Sequence, residues 1–532
     1  HYLKWFVYVL FIVVYICSSS SLRTAKILGV FPTPSISHQV VFRALTHAHA
    51  SHGHKVVVIT PDPAFPKAQA PQNLTEIDVH EKSYEVWMTK TIALNIGDKK
   101  CVSGQAPIFN SICLEAFEKQ TASPEVRDII DNKNDTFDLL LVEAWTRYAL
   151  GFSHVIKAPV ITVSSLGAVF DEYKVMGGPT HPLLYPQTLN TRLFDLTLWE
   201  KITQFYDSFS ILKQLKISEL NENYVIRRIF GRDTPALSEL QNNIQMLFLN
   251  ADHLWVANRP VPSGVIYIGG IHQQPNKDLP KDLKHYLDSS KHGVIYLSFG
   301  TNVDPSILPA DKVQAIINAF SQLPYDVIWK WNQDELPGRT KNIRISKWLP
   351  QSDLLKHPKI KLFITQGGLQ STDETIAAGV PVIAVPMLGD QWYNAEQLVR
   401  HQVGKKIELV DLDEDSLRSA ITTVIEDKSY RDNMLRLRTL MNDRPTSPMA
   451  RARWWTEHVL RHGGRHLRAP AANMADAEYY ELQLVLIVLL AVAILMILCA
   501  FLLYKIGKVV FKVLRYLNRR LNKNMLDNDK WH

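Results

Sequence analysis

The chain has few cysteines and almost no net charge outside one short tail. Of 532 residues four are cysteine, and Cys17 and Cys499 fall in long apolar runs. A bridge between the other two, Cys101 and Cys113, fits an oxidising compartment, and two reduced thiols remain an alternative. The formal charge is +7, of which residues 505–532 supply +6 from eight basic and two acidic residues. A nucleic-acid-binding face is therefore not expected.

Several common motifs are also missing. No Gly-Lys-Ser/Thr phosphate loop is present and no GxGxxG follows the first predicted strand, which argues against kinase and dehydrogenase activities. No repeat of about 20–50 residues is apparent. Hydrophobic residues make up 46% of the chain and charged residues 21%, a balance typical of a globular protein.

Two apolar segments bracket the chain. In Tyr2–Cys17 the basic residue Lys4 precedes the apolar core, and small residues follow the segment, which predicts a signal peptide over residues 1–23; a first transmembrane helix is the alternative. Leu482–Tyr504 has one strongly polar residue and covers about 35 Å as a helix, enough to span a bilayer. The basic tail, residues 505–532, places the end of the chain in the cytosol and the large preceding part in the lumen.

Between these segments, short β-branched runs alternate with helical stretches. This order predicts parallel sheets covered by helices, and the length requires two such α/β domains. We expect a first domain over residues 24–272, a polar linker over 273–292 and a second domain over 293–447. Residues 448–481 are expected to form a helix that packs across the domains, followed by a juxtamembrane segment. The predicted strands are Lys26–Val30, Lys55–Thr60, Asp138–Glu143, Val160–Ser164, Val294–Ser298, Asp326–Trp331, Arg344–Ser346, Lys361–Thr365 and Pro381–Val385.

The most informative stretch is Lys347–Asn394. A strand ends at Thr365, Gly367 and Gly368 make a tight turn, and a helix follows. Such a turn directs helix-terminal N–H groups at an anion and removes side chains that would block a phosphate. Ser371 can add a hydroxyl donor, and Glu374, one turn later, can accept bonds from a ribose diol.

The box from Trp348 to Gln391 resembles the donor signature of the UDP-glycosyltransferases. Its elements W, PQ, HP, FIT, GG, S, E, GVP, P and DQ fall in register. The resemblance extends to the turn at Ser298, Gly300 and Thr301, to Arg259 as a phosphate contact, and to the helix around Trp454. It implies uracil stacking on Trp348, a bond from Gln351 to the uracil edge, ribose binding by Glu374, diphosphate binding by Gln366, Gly367, Gly368 and Ser371, and sugar-hydroxyl binding by Asp390 and Gln391.

Gln366 departs from the family pattern, in which many members have His before the two glycines. An amide can donate a hydrogen bond to phosphate but carries no positive charge. The sequence at this turn resembles the variant common among invertebrate members.

His38 is the candidate general base. It lies in the loop between the first strand and the following helix, where α/β proteins bind ligands, and imidazole suits proton transfer near neutral pH. In the resembling family a carboxylate after a strand of the first domain orients this base. Glu143 occupies that position here, with Asp138 as the less favoured alternative.

Four further histidines, His47, His49, His52 and His54, raise the question of a metal. They lie where a helix gives way to a strand, and an ordinary connecting turn is the preferred interpretation. No metal and no cofactor are expected, because UDP-sugar is a co-substrate and helix-terminal donors can balance its diphosphate.

The sequence thus predicts a GT-B fold of two facing Rossmann-like domains with one C-terminal transmembrane helix. The resemblance implies inverting transfer of a hexose, glucose first, to a small lipophilic acceptor in the endoplasmic reticulum lumen. Two alternatives stay open: a UDP-sugar-binding protein without catalysis, and an enzyme that glycosylates a membrane lipid. Oligomeric state, a glucuronate donor and the identity of the acceptor are not decided by the sequence.

Overall fold

Two parallel sheets organise the chain in the computed structural model, which describes residues 24–90, 96–99, 102–132 and 136–528. The predicted signal peptide and Cys101 lie outside the described residues, and Cys113 is a buried free thiol. The strands are β1 Lys26–Val30, β2 Lys55–Thr60, β3 Leu74–Asp78, β4 Leu139–Glu143, β5 Val160–Ser164, β6 Ile244–Leu249, β7 Val265–Tyr267, β8 Val294–Ser298, β9 Asp326–Lys330, β10 Ile343–Ser346, β11 Ile360–Thr365, β12 Val382–Ala384 and β13 Gly404–Lys406.

Helices fill the connections between these strands. In chain order they are α1 Ile36–Ser51, α2 His80–Lys90, α3 Val102–Thr121, α4 Pro124–Asp131, α5 Phe152–Val155, α6 Glu172–Val175, α7 Leu198–Phe230, α8 Leu237–Leu240, α9 Lys281–Ser289, α10 Ala310–Ser321, α11 Gln351–Leu355, α12 Leu369–Ala378, α13 Gln391–Arg400, α14 Glu414–Glu426, α15 Lys428–Asn442, α16 Pro448–His462, α17 Asp476–Tyr479 and α18 Leu482–Asn528.

In each sheet the chain adds strands first toward one edge and then, from the middle of the sheet, toward the other. The first has the order β3-β2-β1-β4-β5-β6-β7 and the second β10-β9-β8-β11-β12-β13, and the strands pair in parallel throughout the described ladders. A parallel sheet that reverses its strand order leaves a crevice at the carboxyl ends of the two central strands, and ligands bind there. The crevices lie between β1 and β4 and between β8 and β11.

The central strands are buried because helices cover both faces of each sheet. The sequence of β4, Leu-Leu-Leu-Val-Glu, is buried at every position, and so is that of β8, Val-Ile-Tyr-Leu-Ser. Continuous apolar runs of this kind are what a doubly covered parallel strand requires. The two Rossmann-like sheets confirm the predicted fold class.

The segment expected to be a linker contains helix α9. Leu283 and Leu287 lie four residues apart on one face of this helix, and both are buried against the second sheet. The connection that carries no regular structure is therefore shorter than residues 273–292.

Helix α16 returns to the first domain. Ala452 and Val459 are buried with side chains from β1, β4 and α1, and Glu457 Oε1 lies 2.7 Å from His54 Nε2. The helix thus packs against the first domain although it follows the second in the sequence.

Residues from Met474 onward form a second compact unit. Its helix α18 is apolar and long enough to cross a membrane over Leu482–Asn522. The helix continues without a break beyond Tyr504, where the predicted span ends. The basic residues from Lys505 to Lys523 lie on the same helix.

Candidate active site

The structure places His38 in the first turns of α1, directly after the loop that follows β1. Its Nδ1 atom lies 2.9 Å from Ser165 Oγ and 3.5 Å from Glu143 Oε1. Within the described residues, the hydrogen-bond contacts of this ring are all made by Nδ1. Nε2 is therefore the nitrogen left to take a proton from an acceptor.

Glu143 ends β4 and is fully buried. Oε2 accepts a bond of 3.0 Å from the Thr33 N–H, and Oε1 accepts one of 2.9 Å from Trp145 Nε1. These two donors fix the carboxylate beside the imidazole. Glutamate thus reaches His38 from the position where the family has the shorter aspartate.

Asp138 occupies the opposite end of the same strand. Its Oδ2 accepts a bond of 2.8 Å from the Lys26 N–H at the start of β1. It is not brought to His38, so Glu143 is the carboxylate that the fold offers to this histidine.

Ser165 was missed by the sequence reasoning. It follows β5, the strand next to β4, so its position after a buried strand was the available signal. The Ser165 carbonyl oxygen accepts bonds from Asn250 Nδ2 at 3.0 Å and from Gln370 Nε2 at 2.9 Å. Gln370 belongs to α12 of the second domain, so this residue joins the two halves of the site.

The glycine turn lies at the crevice of the second sheet. Gly367 has a φ of +86° and Gly368 precedes the first residue of α12. Gln366 is buried beside them, and a Cβ added to Gly300 would collide with its Nε2 atom. Gly300 itself has a φ of +77°. The two turns after β8 and β11 thus meet around an uncharged amide.

Ser298 and Lys330 shape the turn after β8. Ser298 Oγ accepts a bond of 3.3 Å from the Gly300 N–H, and Lys330 Nζ donates one of 2.6 Å to the Gly300 carbonyl. Thr301, the next residue, is exposed. Burial lowers the pKa of Lys330, which the sequence analysis did not single out.

Four polar side chains form a network one turn further along α12. Gln351 Nε2 donates to Ser371 Oγ at 2.9 Å and to Glu374 Oε2 at 2.7 Å, while Gln351 Oε1 accepts from the Tyr296 hydroxyl at 3.0 Å. Burial raises the pKa of Glu374, and the bond from Gln351 opposes that rise. Three predicted donor residues are thereby in direct contact.

Trp348 precedes this network and is 68% exposed. A tryptophan that is solvent-exposed next to buried polar groups offers a free aromatic face, which suits stacking on a base.

Asp390 and Gln391 lie at the start of α13. Asp390 is buried, and Asn394 Nδ2 donates to its Oδ2 at 2.7 Å. Burial raises the pKa of Asp390 to about 6, and the bond from Asn394 and the nearby His38 oppose the rise. Gln391 Oε1 accepts bonds from the Met387 and Leu388 N–H groups, both 2.9 Å, and so shapes the preceding loop.

Arg259 lies apart from the glycine turn. Its Nη2 donates to the carbonyl oxygens of Tyr185 and Pro186, and its guanidinium lies 4.0 Å from the centre of the Tyr173 ring. Burial lowers its pKa. The structure gives Arg259 these first-domain contacts and does not bring it to the donor network.

Three of the four histidines near the end of α1 contact separate partners. His54 bonds Glu457, His52 Nδ1 lies 2.8 Å from the Ala48 carbonyl, and His47 lies 4.0 Å from Glu76. His49 is fully buried, and burial lowers its pKa to about 3. Among the described residues neither ring nitrogen of His49 has a hydrogen-bond partner, whereas the other three histidines each contact a group of their own.

The two crevices face each other. Ser35 Oγ donates to Asn302 Oδ1 at 3.0 Å, which joins the loop after β1 to the loop after β8. The bond from Gln370 to Ser165 spans the same gap. Across it, His38 also lowers the pKa of Asp390. A histidine with an oriented ring therefore lies across from a glycine turn, a helix N-terminus and the side-chain network around Gln351.

Comparisons with known proteins point to one family. A family model described as UDP-glucoronosyl and UDP-glucosyl transferase matches residues 25–516. An ecdysteroid UDP-glucosyltransferase of Lymantria dispar multicapsid nuclear polyhedrosis virus is 34% identical over 478 residues, covering 88% of this chain and 94% of that protein. UDP-glucosyltransferase 2 of Dactylopius coccus is 31% identical over 476 residues, covering 88% and 90%.

Solved structures share the fold at low identity. A UDP-glucose: anthocyanidin 3-O-glucosyltransferase in complex with UDP has a TM-score of 0.56 at 16% identity, covering 82% of this chain and 99% of that one. The glycosyltransferase VinC in complex with DTDP has a TM-score of 0.58 at 16% identity, covering 82% and 100%. Both are GT-B enzymes, and the likeness extends over both sheets.

Proposed function

Because this chain belongs to the family of UDP-glucoronosyl and UDP-glucosyl transferases, we propose that it transfers glucose from UDP-glucose to a hydroxyl of a small lipophilic acceptor, with inversion at the anomeric carbon. The observation that carries the proposal is the facing pair of crevices. One holds His38 with Nδ1 engaged and Nε2 available, and the other holds the glycine turn and the Gln351 network.

The chemistry assigned to these residues is a single displacement. His38 Nε2 takes the proton of the acceptor hydroxyl while the acceptor oxygen forms a bond to the anomeric carbon. The bond from that carbon to the β-phosphate oxygen breaks, and UDP leaves from the opposite face. Glu143 and Ser165 hold the ring and stabilise the imidazolium that forms.

The second domain is assigned to the donor. Trp348 stacks on the uracil, Gln351 bonds its edge and Glu374 accepts from the ribose hydroxyls. The N–H groups at the start of α12 receive the diphosphate, as a helix N-terminus does for anions. Asp390 and Gln391 bind hydroxyls of the sugar. Arg259 is assigned to first-domain packing instead, since two backbone carbonyls and an aromatic ring already occupy its guanidinium.

Glucose is preferred as the transferred sugar because the two relatives above are named glucosyltransferases. The acceptor class follows the same reasoning: one relative is named for ecdysteroids, which are hydroxylated steroids. A polyhydroxylated steroid and a simple phenol are therefore the first acceptors to test, with conjugation of hormones, pigments or foreign compounds as the role.

The test measures UDP release by the full-length chain in microsomes, with UDP-glucose or UDP-glucuronate and each acceptor. The wild-type chain should form product with UDP-glucose, His38→Ala should form none, and His52→Ala should match the wild type. His52 is the matched control because it lies at the end of the same helix and contacts Ala48 instead of Ser165. Equal turnover by His38→Ala and wild type would refute the assignment of the base.

One observation favours a second function, that of a UDP-sugar-binding protein. Gln366 brings no positive charge to the turn where many family members have His, so less of the developing diphosphate charge is balanced. UDP-glucose binding without turnover of any acceptor, unchanged in His38→Ala, would establish that reading.

We also propose that α18 anchors the chain in the endoplasmic reticulum membrane, with both sheets lumenal and the basic tail cytosolic. The apolar stretch of this helix and the charge that follows it support that orientation. Protease added to sealed microsomes should remove a tag placed after His532 and leave the part containing the sheets intact.

A further inference from the structure

Three histidines come together where α16 ends. His458 and His462 lie one turn apart on the helix, and His466 follows in a turn of 3-10 helix, Arg465–Leu467. The ring centres of His462 and of His466 each lie 5.1 Å from that of His458. The end of this helix therefore places three imidazoles side by side.

Two glycines after the helix bring the third histidine back toward the first. Gly463 has a φ of +68°, a backbone conformation that favours glycine. The Gly464 N–H donates to Gln245 Oε1 in the first domain, and a Cβ added to Gly464 would lie 2.8 Å from Gln245 Cβ. The turn that carries His466 to His458 is therefore held by the backbone and by its packing on the first domain.

The closest contact in this cluster joins two ring nitrogens. His458 Nε2 lies 3.0 Å from His466 Nε2. Within the part of the chain that the structure describes, neither ring makes another hydrogen bond to the protein or an ion pair with a carboxylate. Glu457, next to His458 in the sequence, is engaged by His54 at 2.7 Å and lies 3.7 Å from Arg461. An anion therefore does not account for the convergence of the two rings.

His458 is held in its neutral form. Partial burial lowers its pKa, and the two neighbouring histidines and Arg461 lower that pKa further. A neutral imidazole has a lone pair to offer, and this is the form that binds a metal ion. Two neutral rings place at most one proton between their facing nitrogens, whereas a divalent cation accepts a lone pair from both.

The distance between the two nitrogens fits ligation of one ion. Bonds of about 2.0–2.1 Å from a zinc ion to imidazole, at angles of about 90–109°, separate the two nitrogens by about 2.8–3.4 Å. The 3.0 Å between His458 Nε2 and His466 Nε2 lies inside this range. Imidazole ligands suit zinc, copper and nickel, while magnesium and calcium prefer oxygen.

We propose that His458 and His466 together bind one late first-row divalent cation, of the class of Zn²⁺ and Cu²⁺. No group of three or more ligand side chains is arranged for a metal among the described residues, so water takes the remaining positions.

The cation joins the end of α16 to the turn that follows it. Just beyond this turn, Arg468 Nη1 donates to the carbonyl oxygens of Asn242 and Ile244 in the first domain. The cation thus strengthens the place where the chain leaves the first domain. It takes no part in sugar transfer, because neither histidine belongs to the two facing crevices.

The test titrates the full-length chain in detergent with CuCl₂ while tryptophan fluorescence is recorded, using an affinity tag that contains no histidine. Cu²⁺ quenches nearby tryptophans, and the rings of Trp454 and Trp455 each lie 5.3 Å from that of His458. We expect saturable quenching that an excess of Zn²⁺ reverses. His466→Gln should weaken Cu²⁺ binding by about tenfold or more, because it removes one of two ligands.

His285→Gln is the matched control, because His285 is an exposed histidine on α9, and it should bind Cu²⁺ as the wild type does. Turnover or binding of UDP-glucose reports that each variant is folded. Zn²⁺ should raise the unfolding temperature of the wild type and of His285→Gln but not that of His466→Gln. The proposal is overturned if the two variants bind Cu²⁺ equally tightly, or if Zn²⁺ shifts their unfolding temperatures equally.

Discussion

Asp390 offers the sharpest test of how the donor site is built. The carboxyl is buried at the start of α13 with one side-chain donor, Asn394 Nδ2 at 2.7 Å. Burial raises its pKa from the ordinary value of 3.8 to about 6, even though the Asn394 bond and the nearby His38 favour the charged form. The free protein therefore holds a carboxylate in surroundings that disfavour its charge.

A rise of about two pKa units corresponds to on the order of 3 kcal/mol of unfavourable free energy for the ionised group. The folded protein binds this proton more tightly than the unfolded chain does. The group thus costs no stability below about pH 4, where both states are protonated, and its cost grows as the pH rises to about 6 and is complete above it. Asp390→Asn removes the charge and keeps the shape, so it should stabilise the protein at neutral pH by up to about 3 kcal/mol.

Denaturant unfolding of the full-length chain in detergent, from about pH 4 to about pH 8, measures this difference. The gain should be absent at the acid end, and the variant should bind UDP-glucose more weakly because an acceptor for a sugar hydroxyl is lost. Asp413→Asn is the control of opposite sign: the bond from the Ser416 N–H lowers the pKa of Asp413, so that substitution should destabilise at neutral pH. The reasoning would be refuted if Asp390→Asn raised the free energy of unfolding equally at every pH, or if it lowered that free energy at neutral pH.

Three further substitutions test the remaining parts of the site. Glu143→Gln removes a charge 3.5 Å from His38 Nδ1, worth at most about 5 kcal/mol at an effective dielectric constant of about 20; kcat should fall by about 10²–10³ with KM for UDP-glucose little changed. Trp348→Ala removes a stacking partner worth about 1–3 kcal/mol, so KM for UDP-glucose should rise by about 5–150-fold, and an unchanged KM would argue against stacking. Gly300→Ala puts a methyl group into Gln366 at a φ of +77°; titration calorimetry should show loss of UDP binding while the fold is kept.

Most of the sheet structure could be predicted because its central strands are continuous apolar runs. The nine predicted strands are present, with ends that agree within one residue. The strands that were not predicted have a physical reason. β3 (LTEID), β7 (VIY) and β13 (GKK) are edge strands, polar or only three residues long, and β6 (IQMLFL) has a composition that suits a buried helix equally well.

Among the residues of the candidate site, too, some could be predicted from the sequence and others could not. Gln351, Ser371 and Glu374 were identified because they lie within one short stretch, where a strand, a turn and a helix fix their relative positions. Ser165 and Lys330 were not, because each takes its role from a neighbouring strand far away in the sequence. Arg259 shows the converse: its position beside the domain boundary indicated a phosphate contact, while its actual partners are contributed by residues 173–186.

Ser165 explains why the two halves of the site act together. Its hydroxyl contacts His38 Nδ1, and its carbonyl oxygen accepts from Gln370, the second residue of the helix whose N-terminus is assigned to the diphosphate. Proton transfer and displacement at the anomeric carbon both require reacting atoms to be held within a fraction of an ångström. One residue thus touches both the ring of the base and the donor helix, so it links the position of the second domain to the surroundings of the imidazole. The arrangement that brings Gln370 to Ser165 is thus also the one that places the donor helix opposite the base, while Glu143 and Asn250 hold His38 and Ser165 from within the first domain.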